Sequence, residues 1–310
     1  NKKRNFFDLK NNDKLIIDND KDLKAFANKI SEECTSILLN ESKELIISSN
    51  TQKKNYSESG NNNYKNSIMS NLSEELKDEI FKFWCASKVE QGFKYYVGQH
   101  GNKYGIVKNF SPQIEEITSD TFITWGFKNQ QPKYIPAFVL KNAGERKRNY
   151  NPKGGLLLIE QHPPHRMETW DTDYEFKEYF NDQKKFTKLL NKGPKNNLTV
   201  RLHGGYKLFK WNEEKRWFDF DPKLKLDYGS MSIKKLISRN RLIVHSYNST
   251  GTLETLSQNI PTLIFWQNGF ESIENNSIPY FQQLMEVGIL HLSPESVAKK
   301  VNDNWDDVEK

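Results

Sequence analysis

Two cysteines in 310 residues, Cys34 and Cys85, are too few and too far apart for a disulfide framework or a cysteine-based zinc site. Both read as inert thiols. Long apolar runs are missing as well: no segment approaches the roughly 18 residues that a membrane span requires, and the opening NKKRNFFDLKNNDK holds no apolar signal core. With 28% charged residues and a mean hydropathy of −0.82, the composition is that of a soluble chain. It is expected in the cytoplasm, with room for peripheral association at the inner face of the membrane. Nucleic-acid-binding motifs are also absent. The net charge of +6 is compatible with nucleic acid, anionic lipid or an acidic sugar, but the lysines are spread along the chain and no nucleic-acid partner is expected. The chain begins with Asn1 rather than Met and ends in NDNWDDVEK, as a piece of a longer protein would.

What is present is a repeated alternation of helix and strand. The first 70 residues say least: a helix over 22–33, a strand over 44–48, and a polar stretch, NTQKKNYSESGNNNYKN, read as a mobile loop near 50–70. Ser73, Glu74 and Glu75 then cap a helix through EELKDEIFKFWCASKVEQ, closed by Gly92. FKYYVGQ reads as a strand, HGNKYG as a glycine-bounded loop and DTFITWG as a strand. A connector rich in proline, glycine and basic residues occupies 136–153, and the alternation resumes: strand GLLLIEQ, helix YEFKEYFNDQKKFTKLL, strand LTVRLHG, an irregular WNEEKRWFDFDPK, strand KLKLD and helix SIKKLISRN. Length permits two domains with separate cores. The expectation is an α/β chain with parallel sheets: an N-terminal domain over 1–135, incomplete at its start, a connector over 136–153 and a C-terminal domain over 154–310, facing each other across a cleft.

The stretch RLIVHSYNSTGTLETLSQNIPTLIFW is the most informative. Leu242, Ile243 and Val244 form a buried strand; Ser249, Thr250 and Gly251 open a helix with Leu253, Leu256 and Ile260 on one side; Pro261 stops it before a second strand, TLIFW. A helix start with two hydroxyls and a glycine offers unpaired amides and the positive end of its dipole to an anion such as phosphate. The same residues would also serve as an ordinary N-cap.

Four of the six histidines follow strands directly: His100, His162, His203 and His245. Ligands of parallel α/β sheets sit at that edge, where imidazole can donate to phosphate or take a proton from a sugar hydroxyl. Loop histidines satisfied by backbone occupy the same kind of place. In VRLHGGYK, Arg201 and Lys207 flank His203, and Gly204 and Gly205 permit close backbone approach, which suits an anion or a plain solvated turn. His162 and His165 in HPPH are a poor zinc pair, because Pro163 and Pro164 hold the backbone extended and no third ligand is near. No metal is expected. Trp125, Trp170, Trp211 and Trp217 could stack on sugar rings, although core packing is the commoner use.

From about Asp78 onward these residues resemble a GT-B glycosyltransferase, of the branch of bacterial surface-carbohydrate transferases that includes capsule, sialic-acid-type and teichoic-acid enzymes. VRLHGGYK stands where that branch has a basic His-Pro turn, with Gly204 in place of the proline, and VHSYNSTGTLE stands where it has a Ser-Ser or Ser-Thr phosphate loop. The resemblance implies donor phosphate on Arg201, His203, His245, Ser249, Thr250 and Gly251, and donor ribose on Glu254. Retaining relatives often carry a further glutamate eight residues before that one; here the position is Ser246, which favours inversion. YVGQHGNKYG followed by SDTFITWG is similar to a family of surface-polysaccharide transferases, and teichoic-acid polymerases have a comparable His-Gly turn there in which histidine is the proposed base. This implies His100 as base and Gln99, Gly101, Tyr104 and His162 as acceptor-side candidates. The implied activity is metal-independent and cofactor-free transfer from a nucleotide-sugar, by preference a CMP-activated acidic sugar, to a glycan or lipid-linked glycan acceptor of lipopolysaccharide or capsule type. A CDP-alcohol-dependent polyol-phosphate transferase and a noncatalytic nucleotide- or carbohydrate-binding protein are the alternatives.

Overall fold

The computed structural model describes residues 67–70, 79–142, 150–161, 176–208, 210–266 and 269–308. The expected helix over 22–33, strand over 44–48 and loop near 50–70 lie outside these residues, apart from the short strand β1, Ser67–Ser70. Two compact units divide the chain, Asn1–Tyr95 and Tyr96–Lys310. The first contains helix α1, Glu79–Glu90, which ends where Gly92 takes a positive φ of 87°. Cys85 is buried on it, and burial pushes its thiol up to about 11, which keeps it unreactive.

The second unit opens in strand β2, Lys94–Gly98, and adds helix α2, Ile114–Thr118, and strands β3, Thr121–Thr124, and β4, Tyr134–Pro136. These three strands pair in parallel, with Val97 against Phe122 and Phe122 against Tyr134. A single-turn 3-10 helix at Leu140–Asn142 follows. β4 thus ends on the first residue of the expected connector.

The larger sheet is built from β5 (Gly155–Ile159), β6 (Leu198–Arg201), β7 (Lys225–Asp227), β8 (Asn240–His245), β9 (Thr262–Phe265) and β10 (Leu290–His291). All neighbours are parallel, in the order β10-β9-β8-β5-β6-β7. Counted from β5, that is the 3-2-1-4-5-6 order of a Rossmann sheet, with its reversal between β5 and β8. Central strands of such a sheet are covered on both faces and so read as continuous apolar runs. In β5, Leu156 and Leu158 join one core with Phe186, Trp217, Val244 and Val297, while Leu157 and Ile159 join another with Leu236, Ile237, Ile243 and Ile260. Helices α3 (Phe176–Leu189), α5 (Glu213–Phe220) and α9 (Pro294–Asn304) supply the first face, α6 (Ile233–Ile237) the second. The remaining helices are α4, Lys192–Asn196, α7, Thr250–Ser257, and α8, Ile278–Glu286. Gly155 starts β5 because a Cβ there would lie 2.6 Å from the Asn197 carbonyl oxygen and 2.8 Å from Oδ1 of Asn240. Only glycine lets β5 enter between its two neighbours.

The segment expected to be irregular, 211–223, holds α5. Trp217 is its reason: the indole is fully buried against Phe180 and Phe220, at centroid distances of 5.2 and 5.7 Å, and tertiary packing overrides a mixed local pattern.

Candidate functional site

Three features meet at the carboxyl edge of the sheets. The first is the start of α7. Ser232 and Ser293 cap α6 and α9 in the ordinary way, their hydroxyls accepting from Lys235 N and Ser296 N at 3.4 and 3.2 Å. Ser249 stands at the N-cap of α7 and does not cap it. Its buried hydroxyl lies 3.3 Å from Nδ1 of His245 and also bonds Tyr247. The amides of Thr250 and Gly251 take no partner among the described residues, so the helix start keeps donors for an anion.

The second feature is the loop after β2, whose attachment to α7 had no signal in the residue spacing. Asn102 donates its backbone N–H to the Thr250 hydroxyl at 3.2 Å and its side-chain amide to Oδ1 of Asn248 at 2.8 Å, and its own Oδ1 accepts from Thr250 at 3.2 Å. The same loop is tied on its other side: Lys108 N bonds the Ser272 carbonyl at 2.9 Å, and Glu274 N the Ile106 carbonyl at 2.7 Å. His100 is thus held two residues from a clasp on the start of α7. Loop and helix are already joined, so no closure is needed to bring them together.

The third is the switch between β5 and β8. Glu160, just past β5, is fully buried; Oε2 accepts from the Trp217 indole at 3.1 Å and Oε1 has no partner among the described residues. Burial, with Glu213 nearby, pushes its carboxyl well above the usual range. Glu213 is itself pushed up to about 7 by burial. Ser246, also at this edge, is buried, donates to the Ile159 carbonyl at 2.9 Å and contacts the Tyr179 hydroxyl at 2.7 Å. It stitches two strands.

The expected site residues divide accordingly. Thr250 and Gly251 lie at the helix start, but the Thr250 hydroxyl is engaged by Asn102. His245 leaves the phosphate set. It is 1% exposed, with Nδ1 towards Ser249 and Nε2 3.4 Å from the Thr255 hydroxyl, and burial pulls its imidazole down to about 3. A neutral core histidine cannot meet an anion in solvent. Gly251 packs on that ring: a Cβ would lie 2.9 Å from its Cε1. The buried face of α7 is correspondingly Thr252 and Thr255, with Leu253 and Leu256 only half-buried, the reverse of the apolar pattern. Arg201 is paired with Asp227, its register partner on β7, and both are largely buried. His203 is exposed on the following turn, its Nδ1 accepting from Gly205 N at 3.1 Å; desolvation and then Arg201 pull its imidazole below the usual value. Glu254 faces Lys141, 3.4 Å from its ammonium, and Asn142 donates to its backbone carbonyl at 3.0 Å. On the acceptor side, Gln99 is buried and laces the strand ends, donating to the Gly101 carbonyl at 2.6 Å and accepting from Trp125 N at 2.7 Å. Gly101 lies beside the Thr250 hydroxyl. Tyr104 is 1% exposed and bonds His100 and Glu115, so it supports the histidine rather than touching an acceptor. His162, His165 and Trp170 lie outside the described residues. Among the described residues no three His, Cys, Asp or Glu side chains converge as metal ligands, and no helix is long and apolar enough to cross a membrane.

His245 predicts an acid response. A depressed folded value means that the unfolded state binds the proton first, so its contribution is complete above the unfolded value near 6.5 and is lost as pH falls towards 3. Between pH 6.5 and 5 that amounts to about 2 kcal/mol. Urea denaturation at pH 7 and pH 5 should therefore show His245→Gln losing about 2 kcal/mol less than the parent. Equal losses would exclude His245 as the responsive group; the opposing response of Glu213 is common to both proteins and cancels.

No curated protein matches the chain. Among solved structures, it is similar to a protein assigned as a UDP-N-acetylglucosamine 2-epimerase from Listeria monocytogenes, with 9% identity over 93% of this chain and 72% of that one, at a TM-score of 0.48. It is also similar to MnaA of S. aureus solved with UDP, with 9% identity over 93% and 74% and a TM-score of 0.42. A third similarity is to the wall teichoic acid polymerase TagF, with 10% identity over 70% of this chain and 60% of that one, at a TM-score of 0.35. Residues 8–310 match the LIC12162 family of transferases, and the chain belongs to that family.

Proposed function

We propose that this transferase is a metal-independent GT-B glycosyltransferase that moves a sugar from a nucleotide donor to a surface-glycan acceptor with inversion. The observation that carries the reading is the Asn102 clasp, which fastens the His100 loop to the uncapped start of α7. One group that can take a proton and one cradle that can hold an anion then lie on joined elements. His100 takes the proton of the acceptor hydroxyl, the new bond forms to the anomeric carbon, and the bond to the donor phosphate breaks as its charge develops against the amides of Thr250 and Gly251. His203 can add a donor from the neighbouring turn, and Glu254 can accept from ribose hydroxyls if Lys141 shares it.

A CMP-activated acidic sugar suits this site best. Arg201 is neutralised by Asp227 and the Thr250 hydroxyl is engaged by Asn102, so the remaining positive character comes from backbone amides and one histidine. That environment matches a leaving monophosphate better than a diphosphate, which needs more charge compensation. Calorimetric titration with CMP, CDP, UDP and GDP should show binding of a cytidine nucleotide, weakened at least about tenfold when Thr250→Glu places a carboxylate at the helix start. No binding of any nucleotide, or equal affinity in the variant, would sink the proposal. A phosphodiester product would replace it with polyol-phosphate transfer.

A further inference from the structure

The protein-facing edge of His100 determines which of its nitrogens is left for chemistry. Nε2 lies against the Tyr104 hydroxyl and 3.5 Å from Oε1 of Glu115, and the same hydroxyl donates to that carboxylate oxygen. A phenol has one proton to give. Once it goes to Glu115, the Tyr104 oxygen can only accept from His100, so Nε2 carries the hydrogen and Nδ1 carries the lone pair. The charge states agree. Burial pushes the Glu115 carboxyl up, but the bonds from His100 and Tyr104 outweigh it and hold the group below its usual value, while burial and Glu115 push the Tyr104 phenol far up. The first stays ionised, the second neutral.

The network is also braced. Tyr104 is wedged edge-on against Phe110 at 5.1 Å and beside Phe122 at 5.3 Å. Glu115 rides on α2, whose next residue, Glu116, is buried, accepts from Gln113 N at 2.7 Å and from the Tyr134 hydroxyl at 3.3 Å. Lys133, just before β4, donates to backbone carbonyls of the same helix.

We propose that Glu115, acting through Tyr104, is the positioning residue for His100: it fixes the Nε2–H tautomer, so that the acceptor proton is taken at Nδ1, and it compensates the imidazolium that results. This rests on the reading of His100 as base. Glu115→Leu removes the acceptor, so the Tyr104 phenol proton turns to Nε2 and the ring hydrogen moves to Nδ1, whereas Glu115→Gln removes the charge and can keep an oxygen facing Tyr104.

The test uses protein labelled with ¹⁵N-histidine, its His100 signals assigned by their loss in His100→Ala. Nitrogen shifts at alkaline pH should report Nε2–H in the parent and Nδ1–H in Glu115→Leu. Steady-state kinetics should show kcat of Glu115→Gln lowered about 10²- to 10³-fold with KM within about threefold, and Glu115→Asp recovering part of it. Nδ1–H in the parent overturns the proposal without any Glu115 variant, as does an unchanged tautomer in Glu115→Leu. A reversed tautomer with full turnover in both Glu115→Leu and His100→Ala would instead overturn the base reading itself.

Discussion

Alanine in place of His100 is expected to lower kcat by about 10²- to 10⁴-fold while leaving nucleotide affinity within about twofold. The separation follows from the geometry. In the proposed site the anion is held by backbone amides of α7, and Asn102, which keeps the loop on that helix, remains in place. His100 is 22% exposed and bonds the buried Tyr104 and Glu115, so the variant should melt below the parent while its nucleotide affinity holds. Steady-state turnover with a CMP-activated sugar, paired with calorimetric nucleotide binding, separates the two effects. Retained turnover would remove His100 from the chemistry, and a parallel loss of nucleotide affinity would mean that the loop belongs to the donor site instead.

Much of this arrangement was legible in the residues. Fully buried parallel strands carry continuous apolar runs, which is why GLLLIEQ, RLIVHS and TLIFW could be placed closely. The helix start at Ser249 was legible for the same reason: hydroxyl and glycine punctuation after an apolar run. Side-chain roles were harder, because they depend on contacts between segments distant in sequence. IEEI of α2 shows the difficulty: Ile114 and Ile117 are more than half exposed, while Glu115 and Glu116 are buried. Hydrophobic periodicity would turn that helix the other way. The inversion exists because Tyr104 and His100 wait on the inner side for a carboxylate, and no local pattern announces them. Asn102 was hidden similarly, since its partners lie 146 and 148 residues away.

His245 illustrates the converse. Its position after a strand is shared with His100, yet their chemistry is opposite because of what lies above them. Thr255 of α7 closes over His245, and Gly251 lets the helix come down onto the ring. By drawing the Ser249 hydroxyl inward, that buried ring leaves the helix start uncapped. A core residue thus shapes the start of α7, an indirect role that strand-end position alone does not reveal.

The largest loss of stability is expected at Trp217→Ala. Truncating a fully buried tryptophan typically costs 3–5 kcal/mol through lost transfer energy and the cavity left behind. Here the cavity opens between Phe180 and Phe220 at the centre of one face of the Rossmann sheet. A second cost adds to it, because Trp217 Nε1 is the hydrogen-bond partner of a Glu160 carboxyl whose other oxygen already has none among the described residues. Leaving a buried polar group unsatisfied costs about 1–3 kcal/mol. Trp217→Phe divides the two contributions, since it keeps most of the apolar volume and removes only the donor. Urea denaturation should give a loss of about 1–3 kcal/mol for Trp217→Phe and at least about 4 kcal/mol for Trp217→Ala. Equal losses in the two variants would mean that the indole donor is the whole effect; a loss below about 0.5 kcal/mol in Trp217→Phe would mean that Glu160 finds another partner at the switch between β5 and β8.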